Sequence, residues 1–512
     1  MRQRAPGASR DLLRAPPRAS RRPAVAYAAP VAQRDASLPD GLAAALVFGA
    51  SGAVLVLEIL AVRLLAPYVG LSLETYTTII GVVLAGIAGG AAWGGRLADR
   101  VDPRRLVGLL LMAGGVLAAL TVPLVRVGGE ALEGDGAEGA LLLGLVAFLP
   151  PAAVLSAVTP VTAKLQLQDL GHTGAVVGRL SAWATAGALS GTFATGFVLV
   201  PLLPVRVTVV AVAALLIAAG AVAAARSGAA RSTVVTLVAL GAGAGAAGAA
   251  TGSRCELETA YFCARIVADA DRPSGRTLWL DDLRHSYVDL RDPRHLEFDY
   301  ARWIGDVVDA TAPRRAVFIG GAGFSLPRYV LATQPGARVR VLEIDGELVD
   351  FARARLALRV DERLAVRVGD ARITLRDEPT ATADLVVGDA FAGRAVPWHL
   401  ATREFLRDVR RVLRHDGIYA MNLIDGGDLR FARAMAATLR DAFDHVTLVA
   451  KPGPAAGNLV LLASEAPIPA HAVPRSREAS AYGGAVLARL VAGAHLLRDE
   501  HAPADQLLAP RR

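Results

Sequence analysis

The chain has 512 residues, 53% of them hydrophobic, and a net charge of +8, a length that calls for more than one domain. The excess charge sits in an N-terminal arm and short loops, with no interleaved aromatics, which excludes a nucleic-acid partner. The two cysteines, Cys255 and Cys263, make no Cys/His spacing of a zinc site, so no metal is expected.

Residues 1–40 carry eight Arg against three Asp and no apolar run. They read as a disordered basic arm and not as a signal peptide, since no apolar segment follows at the usual distance. Residues 41–252 form a helical transmembrane domain. A membrane crossing takes about 20 mostly apolar residues, and the runs 41–62, 75–95, 106–125, 139–163, 180–205 and 207–225 each supply them. A seventh run, 232–252, begins with Val234, Val235, Leu237 and Val238 and ends in Ala and Gly. Gly86, Gly90 and Gly94 fall four apart, as do Gly187 and Gly191, a spacing that lets helices approach closely. Pro150, Pro151 and Pro160 predict a kinked fourth helix. Glu58 and Arg63, near the end of the first span, read as an interfacial ion pair.

Basic residues in short loops set orientation. The arm, the loop with Arg96, Arg100, Arg104 and Arg105, and the loops with Lys164 and Arg179 and with Arg226 and Arg231 alternate with neutral or acidic ones. The N-terminus is therefore cytoplasmic. Seven spans place the C-terminal domain outside, six leave it inside, and the seventh run decides. A disulfide between Cys255 and Cys263 would favour the exterior. On one extended strand they would lie about 25 Å apart, so the bond needs a turn near Leu257 and Glu258. Two unrelated thiols are the other reading.

From residue 253 the pattern changes to alternating strands and helices. Residues 253–295 form a β lead-in, with strands over 258–267 and 277–290 and a turn at 271–275. Residues 296–465 form an α/β domain and 466–512 a tail with one helical stretch near 484–498. Within the α/β domain a helix is predicted over 298–310. Strands follow at 315–319, 339–344, 364–368, 384–387 and 417–423, which argues for a parallel, doubly wound sheet.

Such sheets bind ligands at the carboxyl ends of their strands. Gly320, Gly321 and Gly323 follow the first strand, where glycine lets backbone approach a nucleotide. Glu343 ends the second strand about 20 residues on, at the spacing of an acid that accepts from ribose hydroxyls. Asp370 follows the third strand and reads as an adenine contact or a helix N-cap. Asp389 follows the fourth and reads as a general base on an amine or as a loop cap.

Val317-Phe-Ile-Gly-Gly-Ala-Gly323, Val341-Leu-Glu-Ile-Asp345, Val368-Gly-Asp-Ala371, Asp384-Leu-Val-Val-Gly-Asp389 and Pro397-Trp-His-Leu-Ala-Thr-Arg-Glu-Phe405 resemble the successive motifs of the spermidine synthase (polyamine aminopropyltransferase) family. Leu280-Asp-Asp-Leu-Arg-His-Ser286 and Asp299-Tyr300 are similar to its lead-in hairpin and the aromatic after it. The resemblance covers residues 258–465. Arg63-Leu-Leu-Ala-Pro-Tyr-Val-Gly70 and Gly94-Gly-Arg-Leu-Ala-Asp99 resemble the multi-span region fused ahead of such domains.

The resemblance implies a class I methyltransferase-like Rossmann domain behind the helix bundle. It also implies aminopropyl transfer from decarboxylated S-adenosylmethionine to an amine such as putrescine. Glu343 would hold the ribose, Asp370 the adenine and Asp389 the attacking amine, with Tyr300 and His285 in the substrate pocket. A homodimer is left open. The family has an Asp at Gly323, a second Asp at Ala392, a His at Ala301 and a Gln at His285. The nucleoside half of the site is kept and the diamine half eroded. Two other readings stand beside the aminopropyltransferase: an S-adenosylmethionine-dependent methyltransferase acting on a membrane-associated acceptor, and a non-catalytic transporter or scaffold.

Overall fold

The computed structural model describes residues 38–167, 172–426, 428–452, 457–474 and 479–508, so all but the last three residues of the basic arm lie outside the described residues. Among the described residues, seven helices are long and apolar enough to cross a membrane: α1 (Asp40–Val69), α2 (Leu73–Ala98), α3 (Pro103–Ala131), α4 (Gly136–Gln166), α5 (Thr173–Leu202), α6 (Val205–Arg226) and α7 (Arg231–Ala250). Local chemistry starts them. Ser72 Oγ accepts from the Thr75 N–H at 3.1 Å, and Asp102 accepts from the Arg104 N–H at 3.0 Å just before Pro103. In α4 a π-helical turn at Gly144–Phe148 precedes Pro150 and Pro151.

The glycine rows are contact faces. A Cβ on Gly90 would stand 2.0 Å from the Ala153 carbonyl oxygen of α4, and one on Gly187 would stand 2.1 Å from the Phe48 carbonyl oxygen of α1. Only glycine permits backbones this close. The ion pair expected between Glu58 and Arg63 does not form among the described residues. Five residues along a helix point to different faces, and Arg63 reaches instead into the following domain. There it donates to the Ala260 carbonyl at 2.6 Å and to the Thr259 carbonyl.

After α7 the chain builds an antiparallel sheet of β1 (Leu257–Glu258), β2 (Cys263–Ala268), β3 (Gly275–Leu280) and β4 (Leu283–Asp289), in that order. Two expectations change here. The strand read over 258–267 is broken by a turn between β1 and β2, and that over 277–290 folds back at Asp281 and Asp282. Leu257 and Glu258 are not the turn; they pair with Ala264 and Cys263. The turn beyond them brings Cys255 and Cys263 to a Cα separation of 5.1 Å, and the two are disulfide-bonded. At the second turn Asp281 adopts φ 53° and its Oδ1 accepts from the Cys263 N–H at 3.0 Å. A short acidic side chain supplies the bond that this backbone needs.

The main sheet follows α8 (Asp299–Thr311). It contains β5 (Arg315–Ile319), β6 (Arg338–Glu343), β7 (Leu364–Val368), β8 (Ala383–Gly388), β9 (Leu413–Asp425), β10 (His445–Ala450), β11 (Gly457–Ser464) and β12 (Ser480–Gly483). The strand order is β12-β10-β11-β9-β8-β5-β6-β7. The expected all-parallel sheet is a mixed one. β5 to β9 run parallel, whereas β11 is antiparallel to β9 and β10 antiparallel to both β11 and β12.

Helices cover both faces. α8, α9 (Ser325–Thr333) and α10 (Gly346–Arg355) pack with Phe318, Val341 and Leu385. α12 (Arg403–Val412) and α13 (Arg430–Ala442) pack with Val317, Ile319 and Val386, and the short α11 (Ala371–Thr374) joins that face. Burial on both sides explains why β5 and β8 read as unbroken apolar runs. The tail helix α14 (Gly484–Leu490) is shorter than the stretch expected over 484–498.

The bundle touches the ligand-binding end of this sheet. A Cβ on Gly393, in the loop after β8, would stand 2.7 Å from the Leu71 carbonyl oxygen, and Asp282 lies against Gly70. Both contacts fall on the α1–α2 connection.

Candidate functional site

β5 ends at Ile319, and Gly320 turns with φ 91°. A Cβ there would stand 2.4 Å from the Asp389 carbonyl oxygen, so glycine is required by the close pass of the loop after β8. The amides that follow point at the acid ending β6. Glu343 Oε2 accepts from the Gly321 N–H at 2.7 Å and the Ala322 N–H at 3.2 Å, while Oε1 accepts from the Asp345 N–H at 3.1 Å. Burial raises the Glu343 carboxyl above its usual range, against the lowering effect of these amides.

Gly320, Gly321, Glu343, Asp370, Asp389 and His285 line one cavity of about 90 Å³. That is smaller than the roughly 300–1,000 Å³ of ordinary ligand sites. Its outer wall is aromatic. The His285 ring stands between Phe262, at 6.2 Å, and Phe391, at 6.5 Å between ring centres. Burial lowers His285 to about 4, so the ring is neutral near pH 7. Asp370 lines the cavity and also caps α11, accepting from the Arg372 N–H at 2.8 Å with His399 Nε2 at 3.4 Å.

Asp389 is held by two side-chain donors. Its Oδ1 accepts from Asn422 Nδ2 at 2.8 Å and its Oδ2 from the Tyr300 hydroxyl at 3.3 Å. Asn422 in turn accepts from Asn458 Nδ2 at 3.0 Å. Burial pushes the Asp389 carboxyl up to about 6, with the Asn422 and Tyr300 bonds acting the other way. Burial and the neighbouring Asp389 raise the Tyr300 hydroxyl. A carboxylate poised near neutrality, oriented by two donors and facing a glycine loop, has the attributes of a proton acceptor.

Of the expected site residues, Tyr300 meets the cleft only through its bond to Asp389, and Gly323 does not line it. The Gly323 N–H donates to Ser286 Oγ at 3.0 Å behind the loop, and a Cβ there would stand 2.6 Å from Ser286 Cβ. An aspartate at this position has no room. Ala392 is exposed and its N–H bonds to the Ala395 carbonyl at 2.8 Å, whereas Ala301 is buried against Tyr300. Ser286, Phe391, Asn422 and Asn458 were missed from the sequence. A lone amide in the buried run Ala420-Met-Asn-Leu423 was the available signal, because an uncompensated buried amide is costly. Among the described residues no group of three or more His, Cys, Asp or Glu converges as a metal site would require.

No protein-family model matches the chain. Part of it is 29% identical, over 139 residues, to the polyamine aminopropyltransferase of Vibrio vulnificus, covering 27% of this chain and 46% of that one. The polyamine aminopropyltransferase 2 of Streptomyces coelicolor is 36% identical over 119 residues, 22% of each chain. The eEF1A lysine and N-terminal methyltransferase of Xenopus laevis is 29% identical over 115 residues, 21% of this chain and 17% of that one. Among solved structures, a probable spermidine synthase from Corynebacterium glutamicum shares 27% identity over 48% of this chain and 95% of its own, with a TM-score of 0.44. Human methyltransferase-like protein 13, solved with SAH, shares 17% over 42% of this chain and 93% of its own, with a TM-score of 0.29. The chain spans less than half the length of the curated relatives it matches. What they have in common is group transfer. Part of the chain is similar to transferases.

Proposed function

We propose that this protein is a membrane-embedded transferase that binds an S-adenosylmethionine-derived nucleoside above Gly320–Gly321 and Glu343, with Asp389 as the proton acceptor for an amine. The convergence of Glu343 and Asp389 on one cleft carries the reading. The donor set fits a nucleoside: an acid for the ribose hydroxyls, a backbone loop that allows close approach, Asp370 at the far end and the apolar Leu342, Ala371 and Leu400 for a base. The cavity is too tight for the whole molecule, so on this reading the wall that includes His285 and Phe391 opens when the nucleoside enters. In the reaction the acceptor nitrogen forms a bond to a carbon beside the donor's sulfur as the carbon–sulfur bond breaks. Asp389 takes the released proton.

Decarboxylated S-adenosylmethionine and aminopropyl transfer are the leading form of this reading. Methyl transfer from S-adenosylmethionine is the second, favoured by the packing of Ser286 that closes the place of the aspartate expected to hold the amine of a decarboxylated donor. Calorimetry on the full chain with S-adenosylmethionine, its decarboxylated form and methylthioadenosine tests both. Preference for the decarboxylated donor supports aminopropyl transfer and preference for the carboxylated one methylation. Failure of all three to bind overturns the transferase reading and leaves a scaffold or transporter.

The bundle is proposed to span a bilayer with the N-terminus in the cytoplasm. Phe197 and Leu215, 77% and 70% exposed, lie on its outer surface, where lipid would cover them. Seven spans and the Cys255–Cys263 disulfide support the reading in which the C-terminal domain lies on the opposite face. Reporter fusions after residue 252 test that side. An exterior domain would require its donor to be delivered there.

A further inference from the structure

A larger chamber lies beside the cleft. Its volume is about 800 Å³, inside the roughly 300–1,000 Å³ range of small-molecule sites. Phe298, Tyr300 and Trp303, at the start of α8, form one wall, and Leu448, Leu459 and Tyr482 of the antiparallel sheet edge form another. These are positions that the nucleoside reading leaves unused.

Two wall residues connect the chamber to the proposed base. Tyr300 donates to Asp389 Oδ2 at 3.3 Å, and Asn458 reaches Asp389 through Asn422 by bonds of 3.0 and 2.8 Å. The cavities are also neighbours, separated by a space of only about 20 Å³. A small cavity shares Gly320, Gly321 and Asp389 with the cleft, and Glu297, Phe298 and Tyr300 with the chamber.

The charges on the wall decide what fits. Asp299 is held by Lys451 and Arg302, and Glu297 pairs with His295 Nε2 at 3.1 Å. Asp299 is committed to cations and Glu297 to a contact that is an ion pair only with His295 protonated, while Lys451 and Arg489 put cations in the same wall. The wall's two acids are balanced by its two cations, so it offers the far ammonium of a diamine no net negative charge, an arrangement that discriminates against it. An apolar body would meet aromatic and aliphatic side chains.

We infer that this chamber holds the acceptor, and that the acceptor is a single amine carried on an apolar body and not a diamine. The inference rests on the transferase reading above for its chemistry. The acceptor's neutral nitrogen bonds to the donor carbon beside sulfur, the electron pair of the broken carbon–sulfur bond stays on sulfur as a thioether, and the surplus proton passes to the Asp389 carboxylate.

The test uses the full chain in lipid nanodiscs saturated with methylthioadenosine, with empty nanodiscs subtracted for partitioning. Calorimetry compares putrescine, phenethylamine and 4-phenylbutylamine. 4-Phenylbutylamine should bind at least tenfold more tightly than putrescine. Val486, 58% exposed on the wall from α14, is the place to alter the size of the chamber. Val486→Trp should shift the preference to phenethylamine and Val486→Ala should not. Putrescine binding as tightly as the arylalkylamines, or the same ranking in Val486→Trp, overturns the inference. If arylalkylamines bind while no nucleoside does, the transferase reading fails and the chamber stands. If nucleosides bind and arylalkylamines do not, the chamber inference alone fails.

Discussion

Introducing aspartate at Gly323, where the aminopropyltransferase pattern has one, should destabilise this protein, and Ser286 should be the reason. A Cβ at Gly323 would stand 2.6 Å from Ser286 Cβ, 3.1 Å from its Oγ and 3.3 Å from Val288 Cγ2. Carbon atoms pack best at about 3.5–4.0 Å, so β4 and the glycine loop would have to part by about 1 Å. Overpacking of this kind costs about 1–3 kcal/mol, which lowers the midpoint of thermal unfolding by about 2–12 °C for a domain of this size. The assay is a double-mutant cycle read by thermal unfolding of the full chain. Ser286→Gly removes the clashing atom and should couple favourably to Gly323→Asp by about 1–2 kcal/mol. Ser286→Ala keeps Cβ and should not couple. The reasoning fails if Gly323→Asp alone melts with the parent protein, or if Ser286→Ala rescues it as well as Ser286→Gly.

The pH dependence of Asp389 supplies a second expectation. Its folded value, about 6, lies above the ordinary 3.8, so the fold favours the protonated form. That contribution to stability is complete below about 3.9 and is lost as pH rises through 6. Proton acceptance has the opposite need. Turnover should rise through about pH 6, and Asp389→Asn should remove this limb and lower the rate by roughly 10²–10⁴-fold, read by a pH–rate profile. Glu343→Gln presents an N–H₂ group where two loop amides now donate; the unsatisfied donors should cost about 1–3 kcal/mol, measured as weaker nucleoside binding by calorimetry. Replacing Cys255 and Cys263, eight residues apart, with Ser should cost about 2–3 kcal/mol of stability by releasing the loop, and the parent chain should show no alkylatable thiol before reduction. Gly90→Leu drives a side chain into the Ala153 backbone of α4, and should abolish recovery of a monodisperse bundle by size-exclusion chromatography.

What the sequence disclosed follows from how local the signal is. Gly320, Gly321 and Glu343 announce themselves because a buried strand, a tight turn and an acid at fixed spacing are properties of one stretch of chain. The turn at Asp281–Asp282 was illegible, since Asp281 holds its left-handed backbone with a bond to Cys263 across the hairpin. The antiparallel edge was invisible for the same reason. β11 inserts between β10 and β9 only through long-range pairing, and its apolar run Leu459–Ala463 does not tell its direction. Asn422 and Asn458 sit on adjacent strands, two positions off direct register, so their shared bond to the Asp389 network exists only once the sheet is assembled. Gly323 looked like part of a binding loop, yet a serine 37 residues upstream takes the space beside it.

The same long-range logic joins the bundle to the cleft. Arg63 of α1 donates to the Thr259 and Ala260 carbonyls and so fixes the turn after β1. From that turn the Thr259 hydroxyl donates to Asp345 Oδ2 at 2.6 Å. Asp345 has two further bonds: its Oδ1 caps α10 by accepting from the Leu348 N–H at 3.1 Å, and its own N–H holds Glu343 Oε1. The acid proposed to grip the sugar is thus positioned through four residues by a helix of the bundle. The α1–α2 connection also touches the loop after β8, since Leu71 meets Gly393 just beyond Phe391. One helix and its following turn therefore bear on both Glu343 and the loop after β8. A bundle that served only as an anchor would need neither contact, because a flexible linker after Gly252 would tether the domain as well. Helix α1 and the connection that follows it belong to the architecture of the site.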